Sequence, residues 1–252
     1  MQPRLGIGAL LDAEGSDKGM WYGGLYGVLL EPSREQVRCV VEIGIGTVIP
    51  EAASTMFGIG NHNYSPGASL RAWRDFLPNA AVHGVDVAAD TQFTGEGRIT
   101  THLCDSRDTE QSAAMLRSIA PLVPDLIIDD GLHVEAAQVA TLRNFFPALR
   151  PGGLYVVEDV LETAIPGIME ALQTIDPECD FFVDRSWGEC VAIIVRKPTG
   201  ENMASRTRRP ARWLEAHRQR LRAASTAPKN RWRTVGDIVR GARRRLRHLI
   251  EN

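Results

Sequence analysis

Short apolar runs alternate with amphipathic stretches along this chain, which is the pattern of strands and helices that follow one another. Strands are predicted at 37–43, 81–87, 98–103, 126–129 and 154–158, and helices at 69–77, 109–120, 134–149 and 162–174. The segments 181–184 and 190–196 indicate a closing hairpin across Trp187-Gly188, while residues 1–35 are rich in glycine and hard to assign. The alternation predicts an α/β fold, a mostly parallel sheet with helices on both faces.

The charge distribution divides the chain into two parts. Its 252 residues are 44% hydrophobic and 24% charged, which suits one globular α/β domain with an extension. The net charge of −2 conceals 14 Lys and Arg against 27 Asp and Glu in residues 1–200, and 15 against 4 in residues 201–252. Helices are predicted at 208–224 and 232–250. We therefore expect an acidic domain over 1–200 and a basic helical C-terminal extension over 201–252.

The cysteines and the N-terminus bear on the cellular setting. Cys39, Cys104, Cys179 and Cys190 are scattered without a CxxC pair, which disfavours a zinc knuckle and a disulfide framework. A reduced, cytoplasmic setting is the expectation. The first residues lack the apolar core of a signal peptide, and no apolar run approaches the roughly 20 residues that span a bilayer.

Two of the predicted strands end in a pair of acids. Asp129-Asp130 closes one, with His133 three residues after the second acid, and Glu158-Asp159 closes the next. The carboxyl ends of parallel strands meet at one edge of the sheet, where open α/β sheets bind ligands. Clustered carboxylates suit a hard cation such as Mg²⁺, and a nearby histidine suits proton transfer near neutral pH. Acids at strand ends are also common on surfaces, and a lone histidine is more often a capping or packed residue.

A glycine turn follows the first strand. Gly44-Ile45-Gly46 lets the backbone approach a ligand closely, as in the first βα turn of nucleotide-binding sheets. Asp86 ends the next strand, where an acid commonly holds the ribose hydroxyls of an adenosine-type cofactor. The chain has no GxGxxG sequence at this turn, so a dinucleotide fingerprint does not fit.

Three further segments have two interpretations each. Asp105-Ser106, after the third strand, lies near an adenine ring or caps a helix. The polar segment 62–67 walls an acceptor pocket or is an ordinary surface loop. The segment 15–19, with the tyrosines that follow it, indicates by itself only a turn and aromatic packing.

Taken together, these motifs resemble the metal-dependent sugar O-methyltransferases of the class I, S-adenosylmethionine-dependent group. That family includes macrolide-sugar, rhamnosyl and mycobacterial methylmannose-polysaccharide enzymes. The resemblance runs from Gly15 to about Arg196 and is carried mainly by segments 42–46, 67–70, 83–86, 128–133 and 152–159. It implies a Rossmann-like class I methyltransferase fold with a seven-stranded sheet. It also implies S-adenosylmethionine and Mg²⁺ as cofactors, with Mn²⁺ as an alternative ion.

The resemblance also implies roles for individual residues. Asp130, Glu158 and Asp159 would ligate the metal, and His133, beside Asp130, would be the general base. The cofactor site would be lined by Glu42, Gly44, Ser69, Asp86, Asp105 and Ser106. One position departs from the family, which usually has Ser where this chain has Leu132. A contact that this hydroxyl makes in the family would be missing here, whereas the metal and base positions are kept.

Several alternatives stay open on the sequence alone. The expected acceptor is a small molecule or oligosaccharide with neighbouring sugar hydroxyls, and a catechol-type phenol is the second candidate. A hydroxylase is disfavoured because no set of two histidines and one carboxylate is evident. The acidic body disfavours nucleic acid as a substrate. The basic extension packs on the body or on a sister subunit of a homo-oligomer, or it binds an anionic membrane surface as a separate module.

Overall fold

The described part of the chain builds one seven-stranded sheet. The computed structural model describes residues 5–57, 64–187 and 190–199. The strands lie in the order β3-β2-β1-β4-β5-β7-β6. Neighbours among β1 to β5 run parallel, and β7 is antiparallel to both β5 and β6. The predicted seven-stranded, mostly parallel sheet is confirmed. The strands are β1 (Cys39–Ile43), β2 (Ala81–Asp86), β3 (Ile99–Leu103), β4 (Leu126–Asp129), β5 (Leu154–Val157), β6 (Asp180–Trp187) and β7 (Cys190–Arg196).

The helices differ from the predictions mainly at their ends. Helix α6 stops at Phe145 and continues as a 3₁₀ turn, because Pro147 cannot donate the next helical hydrogen bond. The helix predicted from 162 begins as a 3₁₀ turn and becomes α-helical at Ile165, with Pro166 in its first turn. The α-helices are α1 (Ile7–Ala13), α2 (Lys18–Trp21), α3 (Gly23–Leu30), α4 (Ala68–Phe76), α5 (Thr109–Ser118), α6 (Glu135–Phe145) and α7 (Ile165–Ile175).

Two hydrophobic clusters cover the two faces of the sheet. One joins α1, α3 and α4 to the sheet through side chains such as Leu11, Leu25 and Trp73. The other joins α5, α6 and α7 through side chains such as Leu142 and Ile168. Every residue of β1 is buried, as expected for a central strand covered on both sides. The predicted arrangement, with helices on both faces of the sheet, is therefore confirmed.

The glycine-rich N-terminus forms the layer that the sequence left unassigned. Helices α1, α2 and α3 contact one another, and α1 also contacts α4. Strand β6 extends to Trp187, beyond the predicted end at 184. Residues 188–189 and the predicted basic extension 201–252 lie outside the described residues. Among the helices described, none combines the length and apolarity needed to cross a bilayer.

A histidine pair between β2 and β3, with His83 buried and His102 partly exposed, is expected to make the fold sensitive to acid. Nδ1 of His83 lies 3.1 Å from Nε2 of His102. Burial, with His102 adding to it, lowers the pKa of His83 from 6.5 to about 4. The unfolded chain therefore binds more protons than the folded chain between these values, and the free energy of unfolding falls as the pH drops through that window. Between pH 7 and pH 5, the free energy of unfolding of His83→Leu should fall by about 1–2 kcal/mol less than that of wild type, as measured by urea unfolding.

The measurement is a difference between variant and wild type because other groups titrate in the same window. Burial raises the pKa of Asp129 from 3.8 to about 7, so this carboxyl favours the folded state as the pH falls. That contribution is common to both proteins and cancels in the comparison. Identical pH slopes for wild type and His83→Leu would contradict the prediction.

Candidate active site

The site lies where the order of the strands reverses. Strand β1 pairs with β2 on one side and with β4 on the other, and β5 pairs with β4. The carboxyl ends of β1, β4 and β5 therefore meet in the middle of the sheet, at the position where α/β folds bind ligands. A cavity opens at this edge, and its empty space, open solvent included, amounts to about 590 Å³.

Four parts of the chain line this cavity. The N-terminal layer, the glycine turn and the segment leading into α4 contribute residues to it. The ends of β4 and β5 supply acids and a histidine. The lining residues are Ser16, Asp17, Lys18, Trp21, Tyr22, Gly44, Ile45, Gly46, Ser54, Met56, Tyr64, Ser69, Asp130, His133, Glu158 and Asp159. Tyr64, within the polar segment 62–67, lines the cavity, whereas residues 62 and 63 lie outside the described part.

Asp130, His133 and Asp159 converge in the cavity. Nε2 of His133 lies 3.0 Å from Oδ1 of Asp130, and Nδ1 lies 3.8 Å from Oδ2 of Asp159. One ligand atom from each residue lies within 4.8 Å of the others. The three side chains are partly exposed, so their polar atoms face the cavity. This donor set is able to receive a divalent cation.

Glu158 has a different environment from its neighbour Asp159. Its carboxylate is buried, with Oε2 2.5 Å from Nζ of Lys18. The hydroxyl of Tyr26 donates a hydrogen bond to Oε1. Lys18 also lies 2.5 Å from Oδ2 of Asp130 and 3.3 Å from Oε1 of Glu42. One ammonium group is therefore shared by three carboxylates from β1, β4 and β5.

The shared ammonium sets the protonation of the cluster. Burial opposes the charge of Lys18, but the carboxylates of Asp130, Glu158 and Glu42 outweigh it and hold the Lys18 pKa well above its usual value. Burial would raise the pKa of Asp130, yet Lys18 and His133 bring it well below the usual range. For Glu158 burial dominates and raises the pKa to about 8. Asp130 is thus a carboxylate at neutral pH, whereas Glu158 retains a proton more readily.

Tyr22 holds the backbone at Asp159. Its hydroxyl donates to Oδ1 of Asp159 at 2.6 Å and accepts from the Asp159 amide at 3.0 Å. Asp159 has a φ of 49°, in the left-handed region that non-glycine residues rarely adopt. The two bonds from one hydroxyl support this strained backbone and aim the carboxylate at the cavity.

The glycine turn after β1 is braced by Asp86. One carboxylate oxygen of Asp86 accepts from the Ile45 amide at 2.9 Å, and the other accepts from the Ala88 amide at 2.9 Å. Gly44 itself has a φ of +81°, and its backbone lies directly against the Asp130 carbonyl. The glycine turn therefore touches the backbone of the Asp130 loop (Asp130 and Gly131) directly, with no side chain between them.

The remaining predicted cofactor residues have diverse surroundings. Glu42 is fully buried and accepts hydrogen bonds from Trp73, at 2.8 Å, and from Ser69. Asp105 pairs with Arg107 at 2.7 Å, and the Ser106 hydroxyl lies 2.8 Å from that of Thr141. Of the six predicted residues, Gly44 and Ser69 belong to the described lining of the cavity, and the other four do not. Their cofactor roles stay predictions.

Sequence reasoning did not assign roles to three residues of the N-terminal layer. Lys18, Tyr22 and Tyr26 all contact the acids at the ends of β4 and β5. They are spaced four residues apart across α2, its junction with α3, and α3. The amides of Tyr22 and Tyr26 bond to the carbonyls four residues earlier, which keeps the three side chains in a row. A row of hydrogen-bonding side chains in an otherwise apolar stretch is the signal that could have found them.

The comparisons with known proteins agree with this geometry. No family model matches the chain. It is 35% identical over 170 residues to 8-demethyl-8-α-L-rhamnosyl tetracenomycin-C 2′-O-methyltransferase of Streptomyces olivaceus, covering 66% of this chain and 40% of that protein. It is 36% identical over 133 residues to mycinamicin VI 2″-O-methyltransferase of Micromonospora griseorubida, covering 53% and 29%. The chain thus matches well under half the length of these curated relatives.

A solved structure supports the fold. The MycE methyltransferase of the mycinamycin pathway, in complex with Mg, SAH and mycinamycin VI, has a TM-score of 0.60 and 24% identity to this chain. The match covers 79% of this chain and 56% of that one. The resemblance inferred from the motifs is confirmed: the chain has the class I methyltransferase fold and is similar in sequence to sugar O-methyltransferases of tetracenomycin and macrolide pathways.

Proposed function

We propose that the chain is an S-adenosylmethionine-dependent, metal-assisted O-methyltransferase acting on a sugar hydroxyl. The observation that carries this proposal is the single cavity that joins the Gly44–Gly46 turn to Asp130, His133 and Asp159. It places a loop suited to an adenosine-type cofactor beside a cation-binding and proton-accepting cluster. The curated relatives, named as O-methyltransferases of sugar-bearing natural products, support the same reaction class.

The donor set fits a hard divalent cation. Asp130 and Asp159 offer carboxylate oxygens at the cavity, and His133 lies between them. Mg²⁺ binds a few carboxylates and keeps several waters, and Mn²⁺ accepts similar ligands. When bound, the ion would supply a positive charge that lowers the pKa of the acceptor hydroxyl. Glu158 would join Asp130 and Asp159 as a ligand only after its oxygen leaves Lys18.

His133 would act as the general base. Its Nε2 bonds to Asp130, which holds the ring in place and fixes which nitrogen carries the proton. Nδ1 would then take the hydroxyl proton while the hydroxyl oxygen attacks the methyl group of the cofactor. When bound, the cofactor would supply the methyl group, and the products would be a methyl ether, a neutral thioether and a proton on His133. Asp130 would stabilise the imidazolium that forms.

The cofactor would be held by the six residues that the sequence analysis predicts for its site. Gly44 and Ser69 face the cavity, and Asp86 supports the glycine turn from behind. Glu42, Asp105 and Ser106 complete the proposed set. The proposal extends to the setting of the protein: a domain over 1–200 works in the cytoplasm as a homo-oligomer.

The test is a calorimetric titration of the protein with S-adenosylhomocysteine, followed by acceptor screening. Micromolar binding and a one-methyl mass gain on a sugar acceptor, lost with EDTA, would support the proposal. A mass gain on catechols but on no sugar would reassign the acceptor. The lack of any binding at high protein concentration would overturn the methyltransferase function.

A further inference from the structure

The amine of Lys18 lies where a cation shared by the acids would lie. Nζ is 2.5 Å from Oδ2 of Asp130 and 2.5 Å from Oε2 of Glu158. Lys18 is only 5% exposed, so these are close contacts inside the protein. The chain brings this amine from the start of α2, more than 100 residues away in sequence from either acid.

Two cations cannot use the same pair of oxygens. Mg²⁺ binds oxygen at about 2.0–2.1 Å, so an ion bridging Asp130 and Glu158 would occupy the space of the ammonium nitrogen. At such separations two positive charges in a buried site repel strongly. Asp159 makes no such contact with Lys18 in the described part of the structure, so the competition concerns Asp130 and Glu158.

We propose that Lys18 is a tethered competitor of the divalent cation at this site. Its ammonium neutralises the acids in the metal-free protein, and it withdraws from Asp130 and Glu158 when the ion binds. This inference rests on the metal site of the proposed function. Lys18 would thereby control the affinity of the site for the metal. Glu158 would become available as a ligand only when the ion replaces the ammonium group.

Glu42 offers the amine of Lys18 an alternative ion-pair partner beside the cavity. Oε1 of Glu42 lies 3.3 Å from Nζ on the side of β1, away from β5 in the strand order. Lys18 also lines the cavity, and the proposed exchange is a rotation of its long side chain toward Glu42. The ammonium therefore keeps a carboxylate partner after the exchange.

The first test is calorimetric titration of Mn²⁺ into the metal-free full chain. Lys18→Met keeps the apolar length of the side chain and removes its charge, so Mn²⁺ should bind at least about tenfold more tightly than to wild type. Lys197→Met is the matched control, since Lys197 donates to the Pro147 carbonyl away from the cavity. Its affinity should equal that of wild type. Unchanged or weaker binding by Lys18→Met would overturn the proposal.

A second measurement needs no variant, which matters if Lys18→Met fails to fold. The sequence contains three lysines, Lys18, Lys197 and Lys229, so their acetylation is resolved by peptide mass spectrometry. Lys18 has three carboxylate partners in the metal-free wild type and should react slowly there. With saturating Mg²⁺ it would keep only Glu42 and should react several-fold faster, while Lys197 keeps its rate. An acetylation rate of Lys18 that does not change with Mg²⁺ would overturn the proposed exchange.

Titration with S-adenosylhomocysteine on the same samples separates this inference from the proposed function. If neither protein binds Mn²⁺ but both bind S-adenosylhomocysteine, the competition is wrong and the cofactor assignment stands. If neither ligand binds, both the competition by Lys18 and the proposed function are wrong.

Discussion

Replacing His133 by alanine is expected to lower kcat by about 10²–10⁴, the range typical of a lost general base. The affinity for S-adenosylhomocysteine should stay within about twofold of wild type. His133 contacts Asp130 and approaches Asp159, and neither contact involves the glycine turn. The loss should therefore fall on proton removal rather than on cofactor binding. Single-turnover methyl transfer and calorimetry on the same preparations measure the two effects.

Two variants make this experiment specific. His133→Gln keeps a polar side chain that hydrogen-bonds Asp130 but cannot take up the proton, so it should lose nearly as much turnover as His133→Ala. His102→Gln removes an imidazole from the edge strand β3, outside the described cavity lining, and should keep most of the activity. Wild-type turnover in His133→Ala would refute the assignment of the base.

The strands that end in acids were predictable because the signals are local. An apolar run of three or four residues followed by a pair of acids, Asp129-Asp130 or Glu158-Asp159, indicates a buried strand and a polar edge at once. Parallel pairing then brings such edges together without further information. The glycine turn was predictable for the same reason, since Gly44 follows β1 directly.

The internal partners of those acids could not be predicted in the same way. Glu158 and Asp159 are neighbours in sequence, yet one is buried against Lys18 and Tyr26 and the other faces the cavity. Which of two adjacent acids turns inward depends on a helical layer that is more than 130 residues distant in the chain. The N-terminal layer carries too short and too glycine-rich a pattern for its helices to be assigned from periodicity.

The protonation of the cluster depends on the same long-range contacts. Burial raises the pKa of Glu158, whereas Lys18 and His133 overcome burial at Asp130 and lower its pKa. The sequence shows two similar strand ends and predicts similar carboxylates. Lys18 lowers the pKa of both acids, but His133 adds to it at Asp130, whereas the charge of Asp130 adds to burial at Glu158. These contacts, which only the folded chain defines, give the two acids opposite shifts.

Gly44→Ala is expected to weaken S-adenosylhomocysteine binding by more than about tenfold and to destabilise the fold. A Cβ at this position would lie 2.1 Å from the Asp130 carbonyl oxygen and 2.8 Å from the Gly131 Cα. Both are backbone atoms, so the glycine turn and the Asp130 loop must move apart. The φ of +81° adds about 1–2 kcal/mol for any residue with a side chain. Calorimetry and urea unfolding measure the two losses separately.

Gly95→Ala separates the clash from the backbone strain. Gly95 has a φ of +84°, but a Cβ there would meet no atom within 4 Å. It should therefore lose about 1–2 kcal/mol of stability and keep its affinity for the cofactor product. Since strain is common to both variants, the extra loss in Gly44→Ala reports the contact between the turn and the Asp130 loop. Equal stability and unchanged affinity in the two variants would mean that this contact does not shape the site.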